Sequence, residues 1–359
     1  MQAKVKTISF QGQYIYIGID AHLKNWTITV MTENSLQKTF SQDPSAGILH
    51  GYLQRTFPGG DYYSAYEAGF CGYSVHRELI HFGIKNIIVN PADIPTTDKE
   101  RKQKEDRRDS RKIAKSLKNG ELEGIHVPSK QTEELRSLVR YRKTVVKEIS
   151  RHKNRIKSFL YRHGIAIPVE LSQPSRYWSG RFTQWLKTVE TCTPWGISVL
   201  QGTLETVGQL RAGLLKLNRL LRAINRESQY SGILNLLQSV PGVGPIVSIT
   251  LLSELEEVKR FKNLDKLCSY IGLVPRTNSS GEKERAGRIT PRSNKPLRSC
   301  LIEAAWTASR NDPALAQCYV ELCKRMKPNA AVVKIAKKLL NRIRYVMKNE
   351  KEYVHLVVQ

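Results

Sequence analysis

Cysteine is sparse and unpatterned in this sequence. Its six thiols (Cys71, Cys192, Cys268, Cys300, Cys318 and Cys323) include no C-x-x-C pair. The interval from Cys318 to Cys323 is not a zinc spacing and the histidines are dispersed, so no structural zinc site is expected. With no signal peptide at the N-terminus, scattered thiols predict a reduced, cytoplasmic setting. A long apolar span and a lipidation motif are also lacking, which sets aside a membrane partner. Acidic residues are the other shortage: 32 Asp+Glu stand against 58 Lys+Arg, a net charge of +26. A surplus of this size, spread over most of the chain, calls for a polyanionic partner, and nucleic acid is the natural one. What is present in quantity is apolar: 40% hydrophobic residues over 359 positions support real cores in two or three domains.

The first stretch, roughly residues 10–125, alternates strand and helix patterns. The aromatic and β-branched run Tyr14–Ile19 ends at Asp20, and Trp26–Met31 reads as its hairpin partner. A short strand is expected near Lys38–Phe40, a helix over Ala46–Thr56, and a strand over Asp61–Tyr66 that leads into Glu67. A helix around Tyr73–Phe82 and a strand over Ile84–Val89, stopped by Asn90-Pro91, complete an α/β domain with a mixed sheet.

Four acids in this stretch draw notice. Asp106 and Asp109 lie inside the basic run K-Q-K-E-D-R-R-D-S-R-K-I-A, Lys102–Ala114. On a helix, that i, i+3 spacing puts both carboxylates on one face. Either the face is solvated and salt-bridged, as charge runs usually are, or the pair holds a metal ion. Asp20 and Glu67 each close a strand, where ligand sites form in open α/β sheets, although either alone reads equally well as a turn or loop acid. If the four converge, an oxygen-only cluster suits Mg²⁺ (or Mn²⁺). Two such ions about 3.5–4 Å apart activate the attacking oxygen and stabilise the leaving oxygen in phosphodiester chemistry.

This order of elements resembles the RuvC-like, ribonuclease-H-type nuclease domain. More narrowly it resembles the DEDD transposases of the insertion-sequence family numbered 110 and the related Piv-type DNA invertases. The matching residues are G-I-D at Gly18–Asp20, Y-E-A-G at Tyr66–Gly69, N-P at Asn90–Pro91 and K-x-D-x-x-D at Lys104–Asp109. Ser110 departs from the alanine common after the last aspartate. The resemblance implies that Asp20, Glu67, Asp106 and Asp109 are catalytic metal ligands.

From about residue 126 to 232 the pattern becomes helical. Leu135, Leu138, Val145, Ile149, Ile156 and Phe159 keep a 3-4 spacing interrupted by Arg142 and His152. Val207, Leu210, Leu214, Leu217, Leu221 and Ile224 form a heptad seam. The seam predicts a coiled-coil contact, within one chain or between chains. An irregular Pro- and Trp-containing stretch, Gly164–Gly202, separates the two runs. The first helix carries Arg136, Arg140, Arg142, Lys143, Lys147, Arg151, Lys153, Arg155 and Lys157, which read as a track for backbone phosphates.

The last stretch, roughly 233–359, is expected to be mainly α-helical. Ser239-Val240-Pro241-Gly242-Val243-Gly244-Pro245 before an apolar helix is a helix-hairpin-helix signature, or simply a tight helix–helix turn. In the first case Gly242 and Gly244 let backbone N–H groups approach a phosphate. Ile271–Lys283 reads I-G-L-V-P-R-T-N-S-S-G-E-K, and Arg276, Arg285, Arg288, Arg292, Lys295 and Arg298 form a basic comb around it. A Ser-Gly pair in a loop is ordinarily a turn, and no His or Asp stands beside this one in sequence. The block from Ser239 through Gly272-Leu273-x-Pro275-Arg276, Ser280-Gly281 and Leu297-Arg298 is, however, similar to the C-terminal domain of the same transposase family. There the serine before the glycine is the nucleophile, which points to Ser280, with Ser279 one residue away.

The expected function is a Mg²⁺-dependent DNA transposase or site-specific recombinase with a serine nucleophile. The resemblance also implies an element-encoded guide RNA, a homo-oligomer and a nucleoid-associated, prokaryotic setting. Two rivals remain at this level: a structure-selective, junction-resolvase-like nuclease using carboxylates and water, and a non-catalytic nucleic-acid scaffold.

Overall fold

A computed structural model describes residues 9–95, 106–280 and 283–354. Lys102 and Lys104 of the basic run and Gly281 of the Ser-Gly pair lie outside the described residues. The chain divides into two compact units, Met1–Val127 and Pro128–Gln359. The boundary falls where Val127-Pro128 ends the strand–helix alternation, and the helical middle shares a unit with the C-terminal stretch.

The first unit is built on a sheet of β1 (Tyr14–Ala21), β2 (Trp26–Met31), β3 (Leu36–Gln42), β4 (Asp61–Glu67) and β5 (Lys85–Val89), in the order β3-β2-β1-β4-β5. β1 pairs with β2, and β2 with β3, antiparallel; β4 pairs with β1, and β5 with β4, parallel. Strand alternation sorts the side chains. Ile15, Ile17 and Ile19 of β1 are wholly buried on one face, in a core with Leu49 and Leu53 of α1 (Ala46–Thr56) and Leu79 of α2 (Ser74–His81). Each such side chain contributes roughly 1.5–3 kcal/mol by leaving water. α1 is capped by Ser45, whose Oγ accepts from the Ile48 N–H at 3.3 Å. The other face is covered by α3 (Asp106–Lys118), whose Ile113 packs with Ala65, Val89 and Ile94.

Among its described residues, the regular elements of the second unit are helices apart from one hairpin. α4 (Lys130–Arg162) and α6 (Pro194–Ile224) pack on each other, so the partner that the heptad seam requires is present within the chain. Val207 and Leu221 are buried, while Leu210, Leu214 and Leu217 between them are half-buried. Arg142, which interrupts the α4 seam, donates from Nε to Asn218 Oδ1 on α6 at 2.7 Å. Near the α4 C-terminus a small core forms from Ile156, Phe159 and Leu160 with Phe182 and Leu186 of α5 (Gly180–Thr188), and Trp178 and Trp185 pack against it. The irregular Trp-containing stretch thus supplies a local core.

The larger core gathers α7 (Ser228–Gln238), α8 (Pro245–Leu255), α9 (Leu264–Ile271), α10 (Lys295–Asn311), α11 (Pro313–Cys323) and α12 (Pro328–Asn349). Ile335, Leu339, Leu340, Ile343 and Val346 of α12 make its buried stripe at helical spacing. β6 (Pro275–Ser280) and β7 (Lys283–Ile289) form an antiparallel hairpin between α9 and α10. No described helix is long and apolar enough to cross a membrane.

Candidate active site

In the first unit the four predicted acids come from two strand ends and one helix. Asp20 lies near the end of β1 and Glu67 is the last residue of β4. The parallel register pairs Ile19 with Tyr66, so one step further carries Asp20 and Glu67 to neighbouring positions. Both belong to the strand parity of Ala65, which faces α3. Asp106 and Asp109 are on α3 itself, so docking of that helix decides whether the acids meet. Gly18 controls the docking. A Cβ at Gly18 would collide with the Ser110 carbonyl oxygen and the Ala114 amide nitrogen, backbone atoms that cannot rotate aside. The glycine of G-I-D is therefore a close-approach residue. Ser110, the departure from alanine, is wholly buried, and its Oγ lies 2.9 Å from Thr29 Oγ1 on β2. It ties α3 to the sheet one turn from the acids.

At this edge His22 Nε2 lies 3.1 Å from Asp20 Oδ2 and 3.6 Å from Asp106 Oδ1. Among the described residues, Asp20, His22 and Asp106 are the group whose donor atoms all come within 4.8 Å of one another. Asp109 is half-buried alongside, and Glu67 is half-buried at the adjacent strand end; neither belongs to that tight group. Burial pushes the Asp20 carboxyl above its ordinary value; His22 opposes this, while the like charges of Asp106 and Asp109 add to it. A carboxylate in that position is stabilised by an added cation. The donor set fits one: a divalent ion could take oxygens from Asp20 and Asp106 and a nitrogen from His22. His22 was not a site residue in the sequence reading. Its signal was the i+2 spacing from Asp20, which places both side chains on the same side of an extended strand.

In the second unit Ser280 ends β6 and its backbone is in register with Lys283 of β7; Ser279 is in register with Glu284. Arg276 is on β6, and Arg285 and Arg288 are on β7; the side chains of these three and of Ser279 and Ser280 lie outside the described part. Arg292 is exposed in the segment after β7. The turn between α7 and α8 contains Gly242 and Gly244. Gly242 has φ +84, and a Cβ there would strike the Ala304 carbonyl oxygen of α10, so this glycine serves helix packing. Gly244 is exposed, with extended backbone, at the start of α8.

The basic residues of α4 divide by role. Arg136 and Arg140 reach Glu254 of α8, Arg142 turns to Asn218, and Arg151 pairs with Glu148 at 2.5 Å. Lys153 and Lys157 sit over the Trp178 and Tyr177 rings. Lys143 donates to the Pro296 carbonyl at 3.1 Å and Lys147 is exposed. These two lysines, with Lys295, Arg298 and Ser299 of α10, line a cleft of about 460 Å³. Of the basic residues expected to form a track, Arg136 is buried, whereas Arg140, Lys147, Arg151 and Arg155 are exposed along the helix.

A mixed sheet with acids at its strand ends, in a chain with a strongly cationic helical unit, fits the class of proteins that act on nucleic acid. The comparisons narrow this to a family. A model described as "Transposase", of the DEDD kind from IS110 elements, matches residues 17–165, and one described as "Transposase IS116/IS110/IS902 family" matches residues 234–320. The protein y4qE of Sinorhizobium fredii, provisionally named a transposase, is 29% identical over 81% of this chain and 71% of its own. A second protein of that organism with the same provisional naming, y4rJ, is 28% identical over 91% of this chain and 90% of its own. The transposase for insertion sequence element IS1533 of Leptospira borgpetersenii is 25% identical over 81% and 84%. The chain belongs to this family of insertion-sequence transposases. The family acts by cutting and transferring DNA, and its DEDD members typically depend on a metal ion, for which the Asp20–His22–Asp106 group is a candidate site.

Proposed function

We propose that the protein moves its element by divalent-metal-dependent cleavage and exchange of DNA strands, with Ser280 as nucleophile. The observation that carries this reading is the approach of Asp20 and Asp106, from a strand and a helix far apart in sequence, within residues 17–165. The sheet order β3-β2-β1-β4-β5, antiparallel then parallel, supports a ribonuclease-H-like (RuvC-like) reading of the first unit. Asp20 and Asp106 would hold the ion, with Glu67 and Asp109 on the same side as further ligands. When bound, Mg²⁺ or Mn²⁺ polarises the scissile phosphate and offsets developing charge.

The Ser280 oxygen forms a bond to phosphorus as the bond from phosphorus to one deoxyribose oxygen breaks. The serine proton ends on that leaving oxygen, and the phosphodiester energy is kept in a serine–DNA ester. Attack on the ester by the hydroxyl of another strand reverses the step and completes exchange. Arg276, Arg285, Arg288 and Arg292 flank the serine in sequence and suit an anionic backbone. Lys143, Lys147 and the cleft they share with Lys295 offer a second phosphate contact. Gly242 and Gly244 belong to a helix–turn–helix segment that fits a helix-hairpin-helix. The family resemblance points to assembly into a homo-oligomer that would bring Ser280 and the carboxylates together. A guide RNA from the element would supply target choice by base pairing.

Asp106→Asn should abolish strand exchange and leave DNA binding within about threefold, since it removes one negative charge from a chain of net charge +26. Normal exchange by that variant would remove the carboxylates from the mechanism. Ser280→Ala should prevent a covalent DNA adduct. Hydrolysed ends, with indifference to Ser280, would indicate a plain nuclease, and an adduct lost only in Ser279→Ala would move the nucleophile one residue back.

A further inference from the structure

We propose that His22 is a nitrogen ligand of the metal centre in the first unit, which makes that centre selective for Mn²⁺ over Mg²⁺. The inference rests on the reading of Asp20 and Asp106 as metal ligands and goes beyond it in naming a third donor of different chemistry. His22 is the first residue after β1, and its backbone N–H donates to the Asn25 carbonyl at 3.0 Å, closing the tight turn into β2. The turn fixes the direction in which the imidazole leaves the chain. Two residues along the extended strand, Asp20 leaves on the same side.

Nε2 stands 3.1 Å from Asp20 Oδ2 and 3.6 Å from Asp106 Oδ1. Adjacent ligands of an octahedral ion with bonds near 2.1 Å lie about 3.0 Å apart. The His22–Asp20 pair is already at that spacing, the His22–Asp106 pair is about 0.6 Å wider, and all three donors lie within 4.8 Å of one another. The His22 side chain is 40% exposed and belongs to none of the hydrophobic cores, so its position serves the acids rather than the packing. The half-exposed edge also leaves a path for an ion and its waters.

The chemistry of the donor set then decides the metal. Mg²⁺ is a hard ion that takes oxygen ligands and keeps several waters, whereas Mn²⁺ accepts carboxylate and imidazole together and stands above Mg²⁺ in affinity for nitrogen. An all-carboxylate site would serve both ions. Replacing one oxygen by the His22 nitrogen should separate them.

The test is metal binding by the full-length protein, without DNA or turnover. Pulsed electron paramagnetic resonance of the Mn²⁺-loaded protein should show coupling to a ¹⁴N nucleus, absent in His22→Ala. Titration calorimetry should find Mn²⁺ weakened at least about tenfold by His22→Ala, with Mg²⁺ changed less than about threefold. His22→Asp, which returns an oxygen donor, should restore binding of both ions without the nitrogen signal, and so separates lost ligation from lost folding. If Mn²⁺ binds and is lost in Asp20→Asn, yet the nitrogen coupling survives His22→Ala, the His22 assignment falls and the carboxylate site stands. If no Mn²⁺ binding depends on Asp20, both fall.

Discussion

Two acids in this molecule are placed against tertiary neighbours, and they meet opposite electrostatic surroundings. Glu254 of α8 is wholly buried. Arg140 grips it through both oxygens at 2.7 and 2.8 Å, Asn294 donates at 2.8 Å, and Arg136 stands at 3.8 Å. Burial alone would push that carboxyl up, but these partners overcome it and hold it below its ordinary value. Asp20 of β1 is also largely shielded; burial holds its carboxyl up, His22 opposes this without overcoming it, and the like charges of Asp106 and Asp109 add to it. An acid whose charge the fold has neutralised is part of the framework. One whose like-charged neighbours were brought to it by the fold is arranged for a cation from outside. The first unit carries the second kind of acid in a chain of net charge +26, where compensating cations were plentiful.

The comparison breaks first at Asp20. Asp20→Asn should cut strand exchange about a thousandfold, the several kcal/mol expected for loss of metal-assisted charge stabilisation. Thermal unfolding should not be lowered. Because the folded carboxyl has a raised pKa, its ionised form is the costly one, and its contribution to stability is lost as pH rises through the folded value. A neutral asparagine removes that cost at neutral pH. A large fall in the unfolding temperature would instead make Asp20 a framework residue.

Glu254→Gln should have the reverse profile, with about 3 kcal/mol lost from stability because Arg136 and Arg140 lose the charge that pairs them. For Glu254 the folded pKa is depressed, so its contribution is complete above the unfolded value of about 4.3 and is lost as pH falls through the folded one. Chemical denaturation of wild type and variant should therefore converge in acid. A difference that stays constant down to pH 3 would contradict the assigned charge state.

Gly18→Ala sharpens the comparison by moving the acids without changing them. The added methyl meets backbone of α3 and should cost about 2 kcal/mol through overpacking. It should also weaken Mn²⁺ binding measured by calorimetry, since Asp106 travels with the helix. Unchanged metal binding would show that α3 docking does not set the site. The smallest effect is expected from Ser110→Ala, about 1 kcal/mol, because Thr29 keeps its 3.0 Å contact to Thr39. Mn²⁺ affinity should be unaltered there; a change would give Ser110 a part in the site.

Much of the fold was legible. β2 and α1 coincide with the runs read from composition, and β1, β4 and β5 differ from theirs by one or two residues, because β-branched runs bounded by turn residues carry their own limits. The heptad seam on α6 was legible as a seam, but its partner was not, since a seam asks only for a complementary helix. Four acids were legible as candidates because Asp20 and Glu67 sit at strand ends and Asp106 and Asp109 at helical spacing. His22 was passed over because its i+2 spacing from Asp20 is a single pair, without a repeating pattern to mark it. The basic run on α4 was read as one surface; Glu254 and Asn218, distant in sequence, pair with Arg136, Arg140 and Arg142, and of these Arg136 is buried.

The sequence by itself determined the polyanionic class of partner, the α/β-then-helical order and the family, because charge, periodicity and motif spacing are local properties of a chain. Only the tertiary structure decided which charges face one another. Asp20, His22 and Asp106 meet because Gly18 admits α3 to the sheet, and Arg136 and Arg140 turn to Glu254 because α8 presents it. Electrostatic energy depends on distances of a few ångströms between residues far apart along the chain, and those distances are set by packing.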